Sequence, residues 1–420
     1  MADKRKKLKR QVSNDGGQTW QDMIPYEYIA GELIERDSQD CNNVEWRTVS
    51  GYICEENTTE MTQWVADTGY VCVGFDKYNK EKEQVSYNSG ISWTDTGNTR
   101  AGSTLIEQNS EDCGYTPDYS AEYLTTEALN SGNMKVIYQY ESDTQYYSKN
   151  NGSWTSYTPG SDISVVTGDV IRWKGTVTNS QARVGQFACT CNYKAYGNIL
   201  SLLNGDDFIG VTDISGYDNE LFMGLFFNQT TLMDVSNLIL SATTLGGACY
   251  RRMFNGCTSL TTAPVLPATT LAGACYRHMF NGCTSLTSVP ALPATTLANT
   301  CYDGMFRGCT SLTTVPNDLL PATTLNIYCY YSMFEGCTSL TNAPDLPATT
   351  LVNYCYAYMF YGCTSLNSVT CCATDISATQ CINNWLYNVA ATGTFTKAAG
   401  VSWSRGTSGI PTGWTVVDAT

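Results

Sequence analysis

The stretch CYRRMFNGCTSLTTAPVLPATTL (Cys249–Leu271) recurs four more times in near-identical form, and each copy begins with C-Y-x-x-M-F-x-G-C. The second cysteine of each copy lies 26, 26, 28 and 26 residues after that of the copy before it. Degenerate units flank the regular ones: Gln229 replaces that cysteine at one end, and Trp385-Leu386 replaces Met-Phe at the other. Atypical terminal units are typical of a stacked array, because each end of the array must face water.

Within one unit, Cys249, Tyr250, Met253, Phe254 and Cys257 fall at positions i, i+1, i+4, i+5 and i+8. This spacing predicts one apolar face of a short helix, followed by an extended segment. A single unit cannot bury that face alone, so successive units must stack. The sequence therefore predicts a C-terminal α/β solenoid of about seven coils, five regular and about two degenerate, with a 26-residue period.

The repeat cysteines are predicted to be free thiols in the core. Two cysteines of one unit would lie roughly 12 Å apart on a helix, which is too far for a bridge. There is no C-x-x-C, and His278 is the single histidine, so a zinc site is not expected. The predicted core ladder consists of Cys249, Cys257, Cys275, Cys283, Cys301, Cys309, Cys329, Cys337, Cys355, Cys363 and Cys381. One or two bridges stay open among Cys41/Cys113, Cys54/Cys72, Cys189/Cys191 and Cys371/Cys372.

A second repeat system lies near the N-terminus. KRQVSNDGGQTW (9–20) recurs as KEQVSYNSGISW (82–93), and LIERDSQDC (33–41) recurs as LIEQNSEDC (105–113). Short alternating segments with Gly turns predict β-hairpins, which makes the chain mainly β. SNDGGQTW resembles the Asp-box hairpin of sialidases, which implies a structural hairpin and no catalytic role. The predicted organisation is tandem small β modules (1–114), a linker (115–132), a β-sandwich and helical connector (133–205), the solenoid (206–392) and a C-terminal β cap (393–420).

Composition excludes several functions. The net charge of −15 argues against nucleic-acid binding, and no apolar run is long enough to span a bilayer. The basic start, MADKRKKLKR, is interpreted as a solvated arm or as an anchor to an acidic partner. No apolar run follows it, so no secretory signal is expected. We expect no catalytic residues, no metal and no cofactor; the acidic pairs Asp206-Asp207 and Glu111-Asp112 are interpreted as solvated turns.

The string M-F-x-G-C-T-S-L-T, followed by a proline-rich turn, resembles the BspA-type leucine-rich repeats over residues 220–392. Residues 168–208 also resemble the β-domain that often precedes such repeats. The resemblance implies a role in adhesion, as in surface proteins of gut and oral anaerobes and in their phages. Without a secretory signal, a virion protein assembled in the host cytoplasm is favoured over a cell-anchored adhesin.

Variation inside the repeats predicts where recognition would occur. The positions between Tyr and Met, and the position before the Gly, change from copy to copy while the apolar positions stay fixed. They run from basic through mixed to tyrosine-rich, and aromatic and Arg side chains dominate binding hot spots. The candidate recognition residues are Arg251, Arg252, Asn255, Arg277, His278, Asn281, Asp303, Arg307, Tyr331, Glu335, Tyr358 and Tyr361.

The sequence thus favours a non-enzymatic fibre or adhesin subunit of a virion. Its N-terminal region would contact other virion proteins, and its solenoid would bind a host surface glycan or protein. A homo-oligomer, with a trimer favoured by that role, is expected. The alternatives are a bacterial cell-surface adhesin and a glycan-active enzyme.

Overall fold

The computed structural model describes strands within residues 3–107 and, beyond them, residues 119–137, 145–177, 184–217 and 220–419. The chain divides into two compact units, Met1–Pro117 and Asp118–Thr420. Secondary structure is almost entirely β strand and turn. Within the described ranges, no helix has the length and apolar character needed to cross a membrane.

The strands described in the first unit pair antiparallel. Its strands are β1 (Asp3–Lys9), β2 (Gln11–Val12), β3 (Gln21–Asp22), β4 (Tyr28–Glu35), β5 (Tyr52–Glu55), β6 (Met61–Val73), β7 (Asp76–Ser86) and β8 (Thr94–Glu107). They form sheets in the orders β4-β1-β5 and β6-β7-β8, and β2 pairs with β3. Ion pairs join neighbouring strands of the second sheet, at Lys82–Asp95 and Arg100–Glu81.

The second unit begins with a sheet that carries much of its aromatic core. Its strands are β9 (Leu124–Ala128), β10 (Gly132–Met134), β11 (Val136–Ile137), β12 (Gln145–Lys149), β13 (Thr155–Tyr157), β14 (Ile163–Val165), β15 (Val170–Gly175), β16 (Gln186–Phe187), β17 (Tyr193–Asn198), β18 (Leu232–Asp234) and β19 (Leu238–Ile239). The main sheet has the order β13-β12-β15-β9-β17-β18, and β19 also pairs with β17. Trp173 is fully buried against Tyr157 and Phe187.

Two predicted connections are different in the structure. The segment predicted as a linker (115–132) contains a 3-10 turn at Tyr119–Ala121 and strand β9, which lies between β15 and β17. Leu124 and Ala128 of β9 are buried, so this segment belongs to the core. The predicted helical connector (196–205) is helical only in part: β17 extends to Asn198, and helix α1 covers Ser201–Asn204.

The repeat segments are series of turns, and the predicted helix is wrong. In the first regular unit, Ala248, Arg252 and Gly256 have φ values of 49°, 56° and 75°. Left-handed φ at every fourth residue cannot occur in a right-handed α-helix. The same period of four appears in seven coils, which begin at Glu220, Ala248, Ala274, Thr300, Tyr328, Tyr354 and Gln380.

Hydrogen bonds explain why this conformation is stable. Alternate amides bond three residues back, as Arg251 N does to Ala248 O and Met253 N to Tyr250 O. The amides between them bond to the next coil, as Tyr250 N does to Cys275 O and Phe254 N to Met279 O. An isolated helix would satisfy these groups within itself, whereas here half of them are satisfied only by a neighbouring coil.

The period of four also explains the apolar pattern. Positions i, i+1, i+4 and i+5 are buried in every coil, whereas the two residues between them are exposed or half-buried, apart from the buried Gly224, Asp303, Gly304, Ser332 and Ala357. Phenylalanines of successive coils stack in parallel: the Phe254–Phe280 and Phe280–Phe306 ring centroids are 5.3 and 5.6 Å apart. The column begins at Phe187 of β16, which stacks on Phe226 of the first coil. The stack of coils is therefore continuous with the sheet before it.

Parallel strands close the far end of the stack. They are β20 (Ser368–Cys371), β21 (Thr394–Lys397) and β22 (Thr415–Asp418), in that order. Trp385, in the last coil, packs on Phe395 and Trp403, and its indole N–H donates to Gly409 O. These aromatic side chains cover the end of the core.

Candidate recognition surface

Three outward columns run along the stack of coils, between the buried Tyr and Met and after the buried Phe. The first outward column is Arg251, Arg277, Asp303, Tyr331, Ala357 and Asn383; the second is Arg252, His278, Gly304, Ser332, Tyr358 and Asn384; the third is Asn255, Asn281, Arg307, Glu335, Tyr361 and Tyr387. Backbone bonds between coils hold each column in register. Side chains 26 or 28 residues apart in sequence are therefore neighbours.

The structure places the sequence-predicted residues in these columns, with one correction. All of them except Asp303 keep part of their surface exposed, and Arg252 and Arg307 are the most exposed. Asp303 is only 4% exposed. Its short side chain lies in a coil where the next position is Gly304, and the side chain of Arg277 closes over it. Asp303 thus supports the surface from below and cannot contact a ligand directly.

Charged residues near the start of the columns are linked from coil to coil. Arg251 pairs with Glu220, Arg277 Nε lies 2.8 Å from Asp303 Oδ2, and Arg307 lies 2.7 Å from Glu335. Each pair bridges neighbouring coils, so the ion pairs brace the outward face. The pairs also neutralise most of the positive charge that the sequence suggested.

Burial shifts the pKa values of two groups in this region, raising that of Asp303 and lowering that of His278. Burial raises the pKa of Asp303 to about 6, although Arg277 opposes the shift. Burial and the nearby Arg277 and Arg252 lower the pKa of His278 to about 4. His278 is therefore neutral at pH 7. Its ring lies over Gly304, where a Cβ would come within 2.2 Å of Nδ1.

Six tyrosines form a continuous surface at the other end, which we call the tyrosine face: Tyr328, Tyr331, Tyr354, Tyr358, Tyr361 and Tyr387. Ring centroids of successive neighbours are 4.6 to 5.7 Å apart along the path 354-328-331-358-361-387. Sequence reasoning identified only Tyr331, Tyr358 and Tyr361. The signal for Tyr328 and Tyr354 was present, because they stand just before a repeat cysteine where the other regular copies have Ala or Thr.

The cysteines of the predicted ladder are buried, each no more than 2% exposed, and are free thiols. The second column also makes a hydrogen bond that the sequence did not suggest. Cys257, Cys283, Cys309, Cys337 and Cys363 each donate S–H to a phenylalanine carbonyl of the preceding coil, at 3.0 to 3.2 Å. Cysteine here combines small apolar volume with a weak donor. Cys189, Cys191, Cys371 and Cys372 are also free, whereas the side chains of Cys41, Cys54, Cys72 and Cys113 lie outside the described residues.

In the acidic pair Asp206-Asp207, neighbouring side chains hold the carboxylate of Asp206 by hydrogen bonds. Asp206 accepts hydrogen bonds from Lys174 Nζ at 2.7 Å and from the Tyr123 hydroxyl at 2.8 Å. These bonds, that of Lys174 first, lower the pKa of Asp206. A glycosidase acid needs a raised pKa, so this carboxylate is unsuited to that role. Glu111-Asp112 and the Asp-box-like stretch 13–20 lie outside the described residues.

A small cavity borders the start of the outward columns. Arg252 borders a cavity of about 110 Å³ lined also by Val184, Gln186, Met223 and Phe227, well below the volume of a typical small-molecule site. A larger cavity of about 440 Å³, at the C-terminal strands, shares no residue with the columns. In the part of the chain that the structure describes, no three His, Cys, Asp or Glu side chains are grouped to hold a metal ion.

Comparison with known families supports the reading of the repeats. Residues 248–390 match the model of the BspA type leucine rich repeat region in six copies, which correspond to the second to seventh coils. No curated protein and no solved structure matches the chain. Such repeats indicate a surface or binding protein, and no enzymatic domain is indicated. Residues 248–390 are therefore similar to BspA-type leucine-rich repeats.

Proposed function

We propose that this chain is a non-enzymatic binding protein in which the stack of coils is a solenoid that displays the outward columns for recognition. One observation carries the proposal: core positions repeat from coil to coil, while the outward columns change from arginine to tyrosine. Stacking requires the fixed positions only. A varied surface on a fixed core suits recognition, and the six matched repeats support such a role.

We further propose that the chain is a virion fibre or adhesin subunit. The N-terminal unit would join other virion proteins, the coils would bind a host surface, and the subunit would form a homo-oligomer. This location rests on the resemblance of the repeats to those carried by phages of gut anaerobes. A bacterial cell surface is the alternative location for the same binding role.

Two measurements test these proposals separately. Full-length fluorescent protein, incubated with a panel of gut anaerobes, should bind a subset of strains; uniform absence of binding would contradict the recognition role. Labelling with an antibody to the coils should decorate purified particles under electron microscopy. Decoration of intact uninfected cells instead would assign the chain to the cell surface and overturn the virion proposal.

A further inference from the structure

The tyrosine face differs chemically from the rest of the outward columns. Its six members carry aromatic rings and hydroxyl groups and no charge. The side-chain amides of Asn383 and Asn384 border it, each 3.4 Å from the Tyr358 hydroxyl. The surface therefore combines ring area with neutral hydrogen-bonding groups and has no aliphatic member.

The geometry leaves ring surface available. Tyr328–Tyr331, Tyr331–Tyr358 and Tyr358–Tyr361 meet at interplanar angles of 68°, 58° and 47°, so these neighbours do not cover each other face to face. Tyr354 and Tyr387, at the two ends of the path, each stack on one neighbour, at 12° and 19°, and Tyr387 is still 43% exposed. The electron-rich face of an aromatic ring attracts the weakly positive C–H groups of a pyranose, and phenol and amide groups bond to its hydroxyls.

Charge at the border of the tyrosine face does not favour an anionic ligand. Glu335 occupies the third outward column one coil before Tyr361 and is paired with Arg307, as Asp303 is with Arg277. The chain as a whole carries a net charge of −15. A polyanion such as nucleic acid or an acidic polysaccharide would therefore gain no electrostatic attraction here, and an uncharged polymer needs none.

We propose that the tyrosine face binds an extended neutral polysaccharide that runs along the stack of coils. This inference rests on the proposed recognition role and specifies its ligand. Rings of neighbouring coils are 4.6 to 5.5 Å apart, close to the length of one pyranose unit in an extended chain. A row of rings suits a polymer that contacts several of them at once, since many weak contacts then add through one continuous ligand.

A variant can remove the rings while keeping the fold. The triple variant Tyr331→Asn, Tyr358→Asn and Tyr361→Asn introduces asparagine, which already occupies the same three columns at Asn383, Asn384 and Asn255. Asn also tolerates the left-handed φ of 58° at position 358. Val265→Asn, at a position that is 72% exposed and lies outside the three columns, is the control. Circular dichroism and thermal unfolding should show that both variants are folded.

Affinity electrophoresis of the full chain through gels containing soluble glucans, mannans, galactans or xylans tests the proposal. We expect retention by at least one of these polysaccharides, with affinity at least about tenfold weaker in the triple variant and unchanged in Val265→Asn. Retention should persist at about 1 M salt, where exposed charges are screened. Retention by none of them, or equal retention of the triple variant, would overturn the proposal.

Cell binding separates this inference from the recognition role. If wild type and triple variant bind the same strains equally, recognition stands and the tyrosine face is not its site. If the triple variant loses binding, and protease treatment of the cells abolishes binding of wild type while periodate oxidation does not affect it, the ligand is a protein and the polysaccharide is excluded. If wild type binds neither cells nor polysaccharides, both proposals fail.

Discussion

At the residue scale, the cysteines show how one side chain can satisfy two requirements. The inner columns leave room for a small apolar group, and the second column also faces a backbone carbonyl of the preceding coil. Cys309 donates to Phe280 O at 3.2 Å. Among the described residues, the thiol of Cys301 in the first column donates to no carbonyl. Cys309 and Cys301 should therefore respond differently to substitution.

Serine substitutions should distinguish the two columns. Cys309→Ser keeps a donor for Phe280 O, whereas Cys301→Ser buries a hydroxyl with no acceptor, at a cost of about 1–3 kcal/mol. We expect Cys301→Ser to lower the free energy of unfolding more than Cys309→Ser does, measured by urea denaturation. Equal losses would mean that the S–H bond contributes nothing to stability.

The repeat thiols should be unreactive in the folded protein. Burial raises the pKa of Cys283 and Cys337 to about 12, and thiolate is the reactive form. A chromogenic disulfide reagent at pH 8 should detect these thiols only after denaturant is added. Because the folded pKa exceeds the unfolded value of about 9, their contribution to stability is complete below pH 9 and is lost as pH rises toward 12. Repeat cysteines found oxidised in pairs would contradict the structure.

His278 should destabilise the fold in mild acid. Its pKa of about 4 lies below the unfolded value of 6.5, so its contribution is present above pH 6.5 and is lost as pH falls through 4. Asp303, with a raised pKa of about 6, has the opposite effect, because its contribution to stability increases as pH falls. We expect His278→Asn to reduce the loss of stability between pH 6.5 and 4 by about 1–2 kcal/mol after allowance for screening. Asp303 is present in both proteins, so its effect cancels in the comparison. Parallel profiles of stability against pH for wild type and variant would refute this role of His278.

At the scale of the element, a four-residue period of left-handed φ replaces the helix. Each coil places three residues in this conformation, and only the last position is usually Gly. Glycines of that column follow one another closely from coil to coil. A Cβ added at Gly308 would lie 3.8 Å from the Cα of Gly282. The strain at the other positions is offset by the hydrogen bonds between coils.

Paired substitutions in one coil should reveal this strain. Thr300 has φ 53°, so Thr300→Gly should stabilise the protein by up to about 1 kcal/mol. Gly308→Ala introduces a Cβ that has room but places alanine at φ 72°, and should cost about 1–2 kcal/mol. Denaturant midpoints measure both effects. The same sign for the two changes would contradict a left-handed conformation at these positions.

At the scale of the whole molecule, stability is distributed along the stack. The backbone of each coil forms hydrogen bonds with its neighbours in the stack. A substitution near one end should therefore destabilise that end, whereas one in the middle should destabilise coils on both sides. The first coil is attached to the preceding sheet through β17, and the last is covered by the C-terminal strands. The two ends therefore need different protection from water.

A substitution in the cap should loosen that end alone. Trp414 is 2% exposed and its indole donates to Ala390 O at 2.7 Å, so Trp414→Ala should cost about 3–5 kcal/mol locally. Hydrogen exchange should accelerate in β21, β22 and the last coil, and coils near Phe254 should keep their protection. Phe306→Ala, in the central column, serves as the comparison and should affect coils on both sides. Uniform acceleration in Trp414→Ala would show that the stack unfolds as one unit.

The sequence alone determined the number and period of the coils, the inward positions and the columns that vary, because repetition exposes these features directly. It could not determine the conformation of Cys249–Cys257. An apolar pattern at i, i+1, i+4, i+5 and i+8 fits a helix as well as a four-residue turn series. Only hydrogen bonds between coils favour the turns, and their partners are 25 or more residues away in sequence. For the same reason, tertiary structure alone decided that Asp303 is buried beneath Arg277 and that six tyrosines from three coils form one surface.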